Sequence, residues 1–221
     1  MTIQPQGMLF VATDIDPSHE AEFNQWYDRE HVEERARIEG FISAARYQSL
    51  SEKSGGRKYL GLYRTESLGA FTSAAYKAAF GQQTEWSVTN LGRMVDPMRR
   101  VCAVAGSVGQ GSGRNLSVVT LAAAPDTAKL ADRAAEVGAA VSALPGFVRS
   151  YLLTPDATLS SPLPREKTEG RQLLPMWVIE TSDTTADAAA LAQALPALGA
   201  AESDVAHYAL GWKLFSSEFA R

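Results

Sequence analysis

The sequence is poor in the residues that announce metal or redox chemistry. Its 221 residues include one cysteine and three histidines. A single cysteine cannot close an internal disulfide, and no Cys/His cluster has zinc-ligand spacing. Cys102 sits in the apolar run Val101-Cys102-Ala103-Val104, where a thiol is expected to be buried and inert. No apolar run nears the roughly 20 residues needed to span a bilayer. Residues 1–7 lack the basic-then-apolar pattern of a signal peptide. A cytoplasmic protein with no membrane partner is expected. Positive charge is also in short supply: 21 Lys and Arg against 25 Asp and Glu leave a net charge of -4. This speaks against a nucleic-acid partner. The one Gly-rich run, 106–115, lacks the Gly-Lys-Ser/Thr ending of a phosphate loop, and no Gly-x-Ser-x-Gly elbow occurs.

What the chain does contain, it contains twice. Ile38-Glu39-Gly40-Phe41 leads into an apolar alternation over 42–47, and Leu144-Pro145-Gly146-Phe147 leads into another over 148–153. A helical stretch precedes each motif, and a second strand-like run follows, at 58–65 and 173–181. A period of about a hundred residues is a whole small domain rather than a solenoid unit. The pattern predicts strands at 8–14, 41–50, 58–65 and 96–107, a helix from Pro17 to about Arg37 capped by Asp16, and a second helix from Ser67 running on towards Leu91. Residues 51–57, with Gly55-Gly56, read as a hairpin turn. The order repeats from 116 on, with two Ala-rich helices. A long connection, 155–172, carries three prolines, and such loops are often functional.

Each half is therefore β-α-β-β-α-β. The domain reading is a first repeat at 1–107, a Gly/Ser-rich flexible linker at 108–115, and a second repeat at 116–221. Each repeat covers one sheet face with helices and leaves the other bare. Packing the bare faces together is the economical way to bury both. The expected fold is α+β, a barrel-like sandwich with helices outside and a cavity between the sheets.

The run Phe23-Asn24-Gln25-Trp26-Tyr27-Asp28-Arg29-Glu30-His31, followed by Ile38-Glu39-Gly40-Phe41, resembles the first-helix signature of the dimeric α/β-barrel superfamily, and its EthD-like branch in particular. The motif covers about twenty-five residues, and the element order extends the resemblance over the chain. It implies ferredoxin-like repeats paired sheet to sheet as a pseudo-dimeric barrel. The superfamily spans cofactor-free monooxygenases, isomerases, cyclases, haem enzymes and proteins without known activity, so fold does not set function. A haem site of this family would need a histidine on the second helix of a half. Neither 67–91 nor 185–198 has one.

Only the first half has a polar aromatic helix. Tyr27 and His31 are four apart and share a helical face, with Asp28 at the flank of the imidazole. A histidine titrates near neutrality and serves as acid or base, and a carboxylate would fix its tautomer. His31, Asp28 and Tyr27 are the catalytic candidates. Trp26, Arg46, Tyr59, Tyr63 and His207 are the substrate-binding candidates. Tyr59 and Tyr63 share a strand face with Gly61 between them. Turned inward they line the inter-sheet cavity; turned outward they pack under the helices. His207 lies among small neighbours, Ala209 and Gly211, while His19 stands near a helix start and is expected to be exposed. Arg93, Arg99 and Arg100 read as surface residues, with a carboxylate-binding role as the alternative.

The expected activity is proton-transfer chemistry, of isomerase, cyclase or lyase type, on a carbonyl or aromatic compound, with no metal and no organic cofactor. The alternatives are a non-catalytic or stress-linked binder of a small ligand and a cofactor-independent monooxygenase. Edge strands and outer helices leave room for a homodimer.

Overall fold

A computed structural model describes residues 5–50 and 56–219. The first half comprises β1 (Gly7–Ile15), α1 (Glu20–Trp26), a π-helical turn (Tyr27–His31), α2 (Val32–Ala36), β2 (Phe41–Ser49), β3 (Tyr59–Thr65), α3 (Ala74–Gly81), α4 (Glu85–Gly92) and β4 (Met94–Gly109). The second comprises β5 (Asn115–Thr120), α5 (Thr127–Val141), β6 (Phe147–Pro155), β7 (Met176–Thr181), α6 (Thr184–Leu198) and β8 (Val205–Phe215). The predicted hairpin turn at 51–57 lies mostly outside the described residues.

The eight strands close into one antiparallel barrel in the order β1-β3-β2-β8-β5-β7-β6-β4. Each half contributes four adjacent strands in the same internal order. The seams are equivalent: β2 pairs with β8, and β4 pairs with β6. This is the pseudo-dimeric, ferredoxin-like arrangement expected, and closure leaves no sheet edge. The repeated Gly-Phe motif adopts the same geometry twice. Gly40 and Gly146 both have positive φ, 85° and 80°, a region that favours glycine. The Gly40 carbonyl accepts from Glu66 N, and the Gly146 carbonyl accepts from Ser182 N.

The barrel interior is filled, which corrects the expected cavity between the sheets. Met8, Phe10, Leu60, Leu62, Cys102 and Tyr47 from the first half meet Leu116, Val118, Tyr151, Leu153, Met176 and Tyr208 from the second. These strands are buried on both faces, so their runs are continuously apolar rather than strictly alternating. Burial pushes the Cys102 thiol far above its ordinary range, consistent with an inert group. A pinhole of about 10 Å³ lies beside Arg149 and Glu180.

Four local expectations change. Asp16 accepts from Ser18 N and Oγ, so it closes a turn and the helix begins at Glu20. The helix is interrupted by the π turn. The second helix divides into α3 and α4 around the Thr84 cap. The Gly-rich run is partly strand, because β4 continues to Gly109. Its glycines answer close approach: a Cβ at Gly106 would lie 2.6 Å from the Ala131 carbonyl oxygen, and one at Gly109 would lie 2.3 Å from that of Val148. No helix among the described residues is long and apolar enough to cross a membrane.

Because one interior serves both halves, we expect them to unfold together. Leu153→Ala, at a fully buried interior site, should cost about 2–5 kcal/mol in urea denaturation. Fluorescence and circular dichroism should still trace one shared transition.

Candidate functional site

The site is built where the outer face of the first-half sheet meets its helices. A cavity of about 430 Å³ opens there, lined by Leu9 and Val11 of β1, Tyr63 of β3, His31 and Arg35, α4, Met94 and Arg99 of β4, and Leu163 and Pro164. That volume suits a small organic molecule. In the second half a cleft of about 370 Å³ lies beside α6, lined by Asp187, Leu191, Glu202 and His207. Trp177, Ile179, Leu191, Leu195 and Val137 fill the layer beneath its helices.

The π turn determines what faces the cavity. A π turn inserts an extra residue into the helical repeat and re-aims its side chains, a feature frequent at functional sites. Hydrogen bonds hold it on two sides. On one, Trp26 Nε1 donates to Ser87 Oγ at 3.0 Å, and Ser87 and Thr84 hydroxyls donate to Glu30 Oε1 at 3.0 and 2.6 Å. These bonds fasten the turn to the start of α4. On the other, Asp28 Oδ1 accepts from Arg46 Nη1 at 2.8 Å and from Trp212 Nε1 at 2.9 Å. Asp28 therefore pairs with Arg46 and does not orient His31, against expectation, because the widened turn directs it to β2 and β8.

His31 is buried between aromatic rings. Its centroid lies 4.3 Å from Trp26, 5.0 Å from Tyr27 and 6.2 Å from Tyr63, the last edge-on at 89°. Its Nδ1 has no hydrogen-bond partner. Burial, then the charges of Arg35 and Arg46, hold the imidazole well below its ordinary pKa, so it is neutral at pH 7. Burial, followed by the neighbouring Tyr27 phenol, raises Tyr63 well above its usual range and keeps it a donor. The two hydroxyls are neighbours but do not meet in hydrogen-bond geometry, and Tyr63 Oη is unpartnered. Tyr59 and Tyr63 face outward, under the helices. Gly61 makes room for the Tyr63 ring itself, since a Cβ there would lie 3.0 Å from that ring.

The other candidates are dispersed. Trp26 and Tyr27 support His31 from behind without lining the cavity. Arg46 and Tyr59 border a smaller cleft of about 260 Å³ with Asp28 and Trp212. Tyr59 is tied to Glu20 and Asn24. His207 faces α6 in the other half, bonded to Ser117, Asp187 and Glu202, because Tyr208 rather than His207 turns into the barrel. Arg99 and Arg100 are buried rather than on the surface. Arg35 was missed; its signal was the spacing of four from His31, which sets both on one face. Among the described residues no group of three or more His, Cys, Asp or Glu is arranged to hold a metal ion.

The 155–172 connection crosses from the second half to roof this cavity. Glu166 anchors it, accepting from Arg100 Nη1 at 2.5 Å, Arg171 Nε at 2.6 Å and the backbone N–H groups of Arg99 and Leu163. Arg165 donates to the Gly92 carbonyl at the end of α4 at 2.8 Å.

No family model matches the chain, and no curated protein does. Solved structures do. An anthrone oxidase-like protein superposes with TM-score 0.66 at 11% identity, over 97% of this chain and 94% of its own. A monooxygenase candidate from Lactobacillus acidophilus gives 0.59 at 9% identity, over 96% and 97%. A chlorite dismutase candidate gives 0.57 at 10%, over 94% and 95%. Identities this low carry the fold alone.

A depressed histidine pKa has a sign that can be checked. The unfolded imidazole takes up a proton as pH falls through about 6.5, while buried His31 does not. Its contribution therefore favours the fold above that pH and is lost below it. His207, whose pKa is raised by its bond to Asp187, acts in the opposite sense, so the His31 contribution is read by difference: between pH 7 and pH 5, His31→Phe should lose less stability in urea than the wild type does.

Proposed function

Starting from a chain with the dimeric α/β-barrel fold in tandem form, we propose that it is a small-molecule enzyme working by proton transfer in the helix-side cavity of its first half. The observation that carries this reading is a neutral, buried imidazole whose Nδ1 lacks a partner and which lines an apolar hollow. A neutral imidazole carries one proton and keeps its other nitrogen as an acceptor. It would take a proton from a carbon next to a carbonyl, giving an enolate and an imidazolium. Tyr63, kept protonated by burial, would donate to the enolate oxygen. Return of the proton to a different carbon completes an isomerisation with no oxidant. Trp26 and Tyr27 act as positioning residues, fixing the ring plane. The apolar lining suits a flat, enolisable ketone.

A cofactor-independent oxygenase is the second reading. Its support is the resemblance to proteins described as anthrone oxidase-like and monooxygenase. There the same enolate would react with dioxygen, one oxygen atom entering the product as a ketone and the other leaving as water. The first step is common to both.

Anthrone, a flat ketone with an acidic methylene, is a suitable probe. Exchange of its methylene protons in D₂O without oxygen reads proton abstraction, and oxygen uptake in air reads the second reading. We expect His31→Ala to slow exchange about 10²–10⁴-fold while anthrone still quenches the protein's fluorescence. Exchange no faster than in buffer, or unaltered in His31→Ala, would refute the assignment.

A further inference from the structure

Among the described residues five arginines are buried: Arg35, Arg46, Arg99, Arg100 and Arg149. Three of them meet carboxylates, Arg46 with Asp28, Arg100 with Glu166 and Arg149 with Glu180. Arg35 and Arg99 have no carboxylate partner among the described residues, and both line the His31 cavity. Arg99 is satisfied by neutral acceptors: the Leu159 and Ser161 carbonyls, the Ser161 hydroxyl and the Tyr76 hydroxyl. Arg35 is not. It is only 3% exposed, its Nη1 has no partner, and its one charge-related contact is the Phe80 ring, 4.9 Å from the guanidinium carbon. Glu34 feels its charge but forms no ion pair with it. Buried charges are ordinarily paired, since an unpaired one forfeits its hydration with no return.

We propose that the missing counter-ion is the ligand's: the cavity takes an organic monoanion, an apolar ring body bearing one carboxylate, with Arg35 as the residue that selects the charge. The apolar walls from β1, α4 and the 155–172 strap take the ring. The Arg35 guanidinium pairs with the anion from the cavity wall, and Arg99 adds its field without giving up its own partners. This deepens the functional reading above and rests on the same cavity being the ligand site, but it concerns binding and needs no turnover.

The test pairs 2-naphthoate with its uncharged isostere 2-naphthamide, titrated calorimetrically at pH 7 into the wild type, Arg35→Met and Arg35→Lys. The wild type is expected to bind the carboxylate at least tenfold more tightly than the amide. Arg35→Met should abolish that preference, and Arg35→Lys should retain part of it. Since Arg35→Met removes an unpaired buried charge, the ligand-free variant should melt about 2–4 °C higher than the wild type. A merely structural arginine would instead lower the melting point. Equal binding of the two probes by the wild type, or an unaltered preference in Arg35→Met, overturns the charge assignment alone. Binding of neither probe overturns it together with the cavity as a ligand site. If the preference is lost in Arg35→Met while exchange of anthrone persists, the two readings stand independently.

Discussion

Everything in this molecule follows from the mutual burial of two bare sheet faces. Neither four-stranded unit can leave its inner face in water, and each supplies what the other needs to cover. The seams between β2 and β8 and between β4 and β6 convert that burial into closure, so the inner faces become one core and no strand is left unpaired. A filled interior has a second consequence. A ligand site has to be sought outside the barrel, where helices meet the outer sheet face.

There the halves part company. The second half closes its helix layer with alanines and leucines around Trp177. The first places bulky aromatics and a π turn in the equivalent position, and its helix layer does not close. The gap is roofed by the strap between β6 and β7, so the C-terminal half helps to wall a site whose titratable groups are N-terminal. The duplication thus supplies both a partner for the core and a cover for the cavity.

The electrostatics of the cavity reinforce one another. Arg35 and Arg46 help hold His31 neutral, which preserves a free acceptor at neutral pH. Burial holds Tyr63 in its donor form. Excess positive charge in a desolvated space is unfavourable until an anion arrives, and an arriving or developing negative charge finds donors already in place. On the proposed reading, the cost of the unpaired charge and the fitness of the cavity for an anion have the same cause.

The chain order of elements, the repeat and the closed pairing of two ferredoxin-like units were legible in the sequence, because burial on a sheet or helix face imposes periodicity along the chain. Tyr63 was legible as a partner of Tyr59 but not its direction, since alternation tells which residues share a face and not which face is core. Asp28 was misread for a similar reason: helical spacing assumes 3.6 residues per turn, and the π turn breaks that assumption. Arg35 lay within reach of the sequence, four positions after His31, whereas Leu163 and Pro164 could be joined to His31 only by the fold, which brings together residues more than a hundred positions apart. Sequence by itself determined the architecture, because periodic burial is a local property. Tertiary structure decided where the cavity lies and which charges in it go unpaired, because pairing depends on neighbours distant in the chain.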